Sequence, residues 1–66
     1  MSFKEWLYDQ LVNEEVIYED DVEKDEFTKD FILSATDLEE ADINNYEAQF
    51  IEHCDGMAVE PELDLD

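Results

Sequence analysis

Phe3, Trp6, Leu7 and Leu11 recur at the i, i+3, i+4, i+8 spacing of one helix face, so residues 3–14 are expected to form an amphipathic helix with Glu5 and Asp9 pointing away from the core. Tyr8 and Val12 add a second stripe, read as a widening of the same core face. Beyond Asn13 the period is lost. Val16, Ile17 and Tyr18 interrupt a polar run and fit the end of the first helix, a turn or a short strand. Asp20 followed by Glu23 resembles a capping arrangement, and acids suit a helix's first turn. A second helix is therefore expected from about 21 to 34, with Phe27, Phe31 and Ala35 facing the core. Phe27, Phe31 and Leu33 also fit a strand's period of two, which leaves an α+β arrangement with a short hairpin around 14–33 as the alternative.

Thr36 with Glu39 three residues on makes a capping box for a short helix through Leu38 and Ala41. One helix running from there to Cys54 would scatter its apolar residues. A break near Asp42 restores the pattern, with Asp42 capping a last helix from 43 to about 55 that turns Ile43, Tyr46, Phe50 and Cys54 inward and ends at Gly56. The expected architecture is all-α: a small three- to four-helix bundle, with residues 1–56 as one helical domain and 57–66 as an extended or disordered acidic tail. If extended, the tail would line Glu60, Glu62, Asp64 and Asp66 along one side at intervals of about 6.7 Å. Pro61 restricts it to an edge or an unpaired segment.

Sixty-six residues make one domain with a thin core. Leu, Ile, Val and Phe fill 18 positions, above the roughly 20% below which a highly charged chain stays disordered. Charge alters this ordinary picture. Twenty-two Asp and Glu stand against Lys4, Lys24 and Lys29, with no Arg, for a formal net charge of -19. Such a balance opposes compaction and repels both nucleic acid and anionic membrane surfaces, which leaves cationic partners. The acids are densest between 14 and 26, where eight of thirteen residues are Asp or Glu: Glu14, Glu15, Glu19, Asp20, Asp21, Glu23, Asp25 and Glu26. A single cysteine, Cys54, forms no internal disulfide and suits a reducing compartment. The first residues lack the basic and apolar regions of a secretory signal, and no apolar stretch approaches the ~20 residues of a membrane span, so a cytoplasmic location is expected.

Catalysis is not expected, because paired carboxylates need a pocket that separates their pKa values and a body this small has little room for a cleft. His53 and Cys54 are adjacent and diverge by about 100° on a helix, which suits neither a nucleophile–base pair nor, with so few other soft ligands, a zinc site. No twelve-residue loop in the acidic segment carries the glycine and terminal Glu of a calcium hand. No cofactor is expected.

With its short length, its acidic cluster from Glu14 to Glu26, its acidic tail and its aromatic residues among the acids, the chain resembles the small acidic DNA-mimic inhibitor proteins, many of them phage-encoded. The resemblance is one of composition. Those proteins share no single fold, so it implies nothing about architecture. It implies a non-enzymatic inhibitor whose carboxylates stand in for phosphates. Such an inhibitor covers the basic surface of a nucleic-acid-binding protein, in the host cytoplasm if phage-encoded. Small cores gain stability by association but the charge opposes it, so a monomer or weak homodimer is expected. The expected partner-binding residues are Glu14, Glu15, Tyr18, Glu19, Asp20, Asp21, Glu23, Asp25 and Glu26, centred on Glu19, Asp20, Asp21, Glu23 and Glu26; Glu5 and Asp9, four apart on a helix, would form a further pair. The alternative is a small acidic regulatory adaptor or anti-activator that binds one protein through an apolar helix face. Its contacts would come from Trp6, Tyr8, Val12 or the Leu63 and Leu65 tail.

Overall fold

The computed structural model describes residues 1–65 and is all-α: α1 (Phe3–Asn13), a 3-10 turn (Lys24–Glu26), α2 (Lys29–Ala35) and α3 (Glu40–Met57). α1 forms as its periodicity predicts. Ser2 caps it, its hydroxyl accepting from the Glu5 N–H at 3.2 Å, and Phe3, Leu7, Tyr8 and Leu11 are buried along it. Phe3 and Trp6 meet Phe50 of α3 with ring centroids 5.2 and 5.5 Å apart, an offset aromatic cluster that fixes the α1–α3 crossing. Ile43 and Cys54 complete the buried stripe of α3, and Tyr46 is half-buried beside it, as the spacing from 43 onward requires.

The middle of the chain departs from expectation. Residues 14–23 contain no helix, and the helix expected from 21 to 34 is a 3-10 turn followed by seven residues of α2. Among the described residues 14–33 there is no strand either, so the hairpin alternative is also incorrect. The reason is an anchoring period of five: Ile17, Val22 and Phe27 are buried, and the four residues inside each interval are exposed. A spacing of five fits neither helix nor strand, so the backbone follows its anchors instead. α2 starts at Thr28, whose hydroxyl accepts from the Phe31 N–H at 3.1 Å, and it buries Ile32 while Phe31 is half-buried and Ala35 exposed, contrary to the expected core face.

Thr36 does not open a helix; its hydroxyl donates to the Ile32 carbonyl and accepts from the Leu38 N–H, closing α2. α3 is continuous across Asp42, because it begins only at Glu40 and so leaves Leu38 outside it. Asp42 serves as the third helical residue of a capping box, its carboxylate accepting from the Glu39 N–H at 2.9 Å. Leu38 and Ile43 then occupy the two positions of a hydrophobic staple. The helix runs past Gly56 and ends at Ala58, which takes the left-handed conformation at φ 57°. Val59 and Ala58 donate to the carbonyls of Cys54 and Asp55, the two bonds of a Schellman motif.

After this turn the chain returns to the start of α1. The Met1 ammonium donates to the Glu60 carbonyl at 2.9 Å, Glu62 exchanges hydrogen bonds with the backbone of Met1 and Phe3, and Ser2 and Glu62 form an isolated parallel bridge. Asp64 accepts from the Ser2 hydroxyl at 2.6 Å and the Lys4 N–H at 2.9 Å, adding a carboxylate at the positive end of α1. Partial burial pushes the Asp64 carboxyl up, but the hydrogen bonds from Ser2, Lys4 and its own N–H, with the Lys4 charge, outweigh this and hold it below the ordinary carboxylate value. Asp66 lies outside the described residues.

Candidate functional site

The acidic segment begins where α1 ends. Glu15 adopts φ 61°, its N–H donating to the Val12 carbonyl at 3.1 Å while the Val16 N–H donates to that of Leu11 at 2.9 Å. This is a second Schellman motif, with a glutamate at the left-handed position that glycine would occupy without strain. The turn throws the chain outward, and the buried Ile17, Val22 and Phe27 bring it back twice. Between them stand two exposed quartets, Tyr18-Glu19-Asp20-Asp21 and Glu23-Lys24-Asp25-Glu26. The first closes as a turn in which the Asp21 N–H donates to the Tyr18 carbonyl at 3.0 Å; the second closes through Glu26 and Glu23, also at 3.0 Å.

Tyr8 pins this loop to α1. Its ring meets Phe27 edge-on with centroids 5.4 Å apart, and its hydroxyl donates to the Val22 carbonyl at 2.8 Å, with the Glu19 carbonyl farther off at 3.4 Å. Burial raises the Tyr8 phenol above its ordinary pKa, and the charges of Glu19, Asp9, Asp20 and Glu23 raise it further. The charges of three loop carboxylates and one from α1 therefore act on one buried phenol. Lys24, the loop's one cation, sits 5.8 Å from the Tyr8 ring centroid and 3.8 Å from Glu5. It screens the α1 side of the loop and leaves the outer face negative.

The expected binding residues differ in their contacts. All nine are exposed, Tyr18 at 61%. The charges of Glu19, Asp20 and Glu23 act on Tyr8, whereas Glu14 turns to α3, where both its carboxylate oxygens accept from the Tyr46 hydroxyl, at 3.1 and 3.2 Å. Burial, that hydrogen bond and charge from Glu14, and the charge of Asp42 all raise the Tyr46 phenol. Glu15 and Asp21 stand along a trough between the loop and α2, and Asp25 and Glu26 occupy the 3-10 turn. The charge of Asp9 likewise acts on Tyr8 and that of Asp42 on Tyr46. Asp9 was visible as an outward residue of α1, but nothing local marks Glu14 as a partner of Tyr46 on α3.

Of the residues expected for an adaptor, Tyr8 is buried and committed to the loop, while Trp6, Val12 and Leu65 pack against the core; Leu63 is 53% exposed. His53 lies 6.3 Å from the Trp6 ring, whereas Cys54 is buried with its Sγ 3.9 Å from the Met1 sulfur, so the two point apart. Among the described residues no three carboxylate, imidazole or thiol groups converge to hold a metal ion, and no helix is long and apolar enough to cross a membrane. Comparison with known proteins finds no matching family model, no matching curated protein and no matching solved structure, so the chain's own geometry is what a functional reading rests on.

Proposed function

We propose that this protein is a DNA-mimic inhibitor, acting in the cytoplasm as a monomer, that covers the basic nucleic-acid-binding surface of another protein with the loop from Glu14 to Glu26. The observation that carries the reading is a match of charge to length. The molecule extends 32 Å along its longest axis, over which duplex DNA at one charge per about 1.7 Å carries about 19 negative charges; the chain's formal net charge is -19. Two further features support it, since acids stand where they work against the fold. Glu15 holds a left-handed position, and α1, α2 and α3 all lack a basic residue in the last turn, with Asp55 near the negative end of α3. Solubility alone asks for a net charge of magnitude about 2–8 in a small domain.

On this reading the helical bundle is a support, residues 59–65 are an acidic strap across its end, and the loop meets the target's Lys and Arg. Long-range attraction speeds association and makes affinity fall with salt. The test captures partners from nuclease-treated lysate on the tagged protein and challenges them with duplex DNA. A DNA-binding protein released both by moderate salt and by the duplex is the expected result. A partner that persists at about 1 M salt, where charges are screened beyond about 3 Å, and that ignores DNA would overturn the proposal.

A further inference from the structure

Beside the acidic loop runs an apolar trough. Val16, Ile17, Tyr18, Val22, Phe31 and Ala35 line an open depression of about 320 Å³ between the loop and α2. Val16 and Ala35 also border a second, of about 390 Å³, which continues past Thr36 to Leu38. Val16 and Ala35 thus stand on the walls of both depressions. Asp21 stands on the wall of the first, Glu15 and Asp37 on that of the second, and none of the three lysines lines either. Lys24 and Lys29 are engaged elsewhere, at 3.8 Å from Glu5 and 3.2 Å from Glu40. Tyr18 belongs both to the trough and to the outer loop quartet with Glu19 and Asp20.

We infer that this trough seats apolar side chains of a cationic amphipathic segment on the target protein, its Lys and Arg flanking them to meet Glu15, Asp21 and Asp37. The inference rests on the DNA-mimic reading and adds to it the element that charge lacks, which is selection among basic surfaces. Charge complementarity identifies the occupant. An apolar floor walled by carboxylates matches a helix with apolar residues at i, i+3, i+4 and i+7 and cations on either side. A second copy of this chain would bring another -19 into contact and be repelled. A small molecule would be poorly enclosed, because each depression is open and near the lower end of the roughly 300–1,000 Å³ of ligand sites. An exposed tyrosine at the rim of an apolar pocket is also the kind of residue that dominates binding energy at interfaces.

Two synthetic peptides of about 14 residues and equal charge test this by titration calorimetry and by amide chemical shifts of the labelled full chain: a Leu/Lys helix of that spacing, and a Gly/Lys peptide without apolar residues. The expected result is at least tenfold tighter binding of the Leu/Lys peptide, with shifts at Val16, Tyr18, Ala35 and Leu38. Ala35→Trp, at an exposed position, should abolish most of that advantage while leaving Gly/Lys binding unchanged, and Tyr18→Ala should weaken binding of the Leu/Lys peptide. Equal affinities, with shifts confined to the acidic quartets, would overturn the trough and leave the charge-based reading standing. Failure of both peptides to bind would overturn both. Concentration-dependent dimerisation in sedimentation equilibrium that Ala35→Trp abolishes would assign the trough to a second copy and overturn the inference.

Discussion

The α1–α3 side of the molecule and the loop between α1 and α2 solve the problem of a thin core in different ways. Along α1 and α3 the apolar residues recur at helical spacing, aromatic rings meet across the interface, and backbone hydrogen bonds are satisfied within the helices or by the tail. The loop has three buried side chains in eleven residues, one tyrosine hydroxyl and two tight turns, under most of the charge of the acidic cluster. The regular packing lies on the first side, and the acids are densest along the second. A small body can thus carry a strongly self-repelling segment if a separate, regular interface supplies the folding free energy.

Removing Phe50 should break this division most severely. Phe50→Ala takes out the ring shared by Phe3 and Trp6 and should cost about 3–5 kcal/mol, comparable to the whole stability that a core of this size supplies. Circular dichroism should then show a largely unfolded chain at 25 °C. By contrast, Tyr8→Phe keeps the core ring and removes only the hydrogen bond to Val22. Amide exchange should quicken by up to about tenfold at Glu19–Glu23 and change little in α3, the signature of local rather than global opening.

Two smaller substitutions sharpen the comparison. Glu15→Gly relieves a left-handed glutamate and one unit of repulsion, and should raise stability by up to about 1 kcal/mol in urea unfolding, against the usual effect of adding glycine. Asp64→Asn weakens the strap at the start of α1 by about 0.5 kcal/mol, low in the range for caps because the site is exposed. Asp64 is held below its ordinary carboxylate value of about 3.9. Its contribution is therefore complete above that value and lost as pH falls through the lowered folded one. The stability difference between wild type and Asp64→Asn should be constant above about pH 5 and disappear on acidification.

The regular side was legible because burial there has a period. Phe3, Leu7 and Leu11, and Ile43, Phe50 and Cys54, are placed as their spacing predicts. The loop was not, because Ile17, Val22 and Phe27 return every five residues and acids that suit a helix's first turn lie instead in open turns. Glycine misled in the same way. Gly56 marks no helix end, while the two left-handed caps fall on Glu15 and Ala58, where only the path of the following chain reveals them. Composition alone pointed to the acidic cluster, but not to its division between Tyr8 and Tyr46, since that depends on how α3 packs beside α1.

The proposed role of the loop carboxylates whose charge raises the Tyr8 phenol is to bind the target's Lys and Arg. It is tested most directly by measuring the affinity of the captured DNA-binding protein for the wild type and for a Glu19→Gln, Asp20→Asn, Glu23→Gln variant across a series of salt concentrations, with circular dichroism confirming an unchanged fold. At least a tenfold loss at low salt and a shallower dependence of affinity on salt are expected for the variant. Equal affinity and equal salt dependence would contradict it.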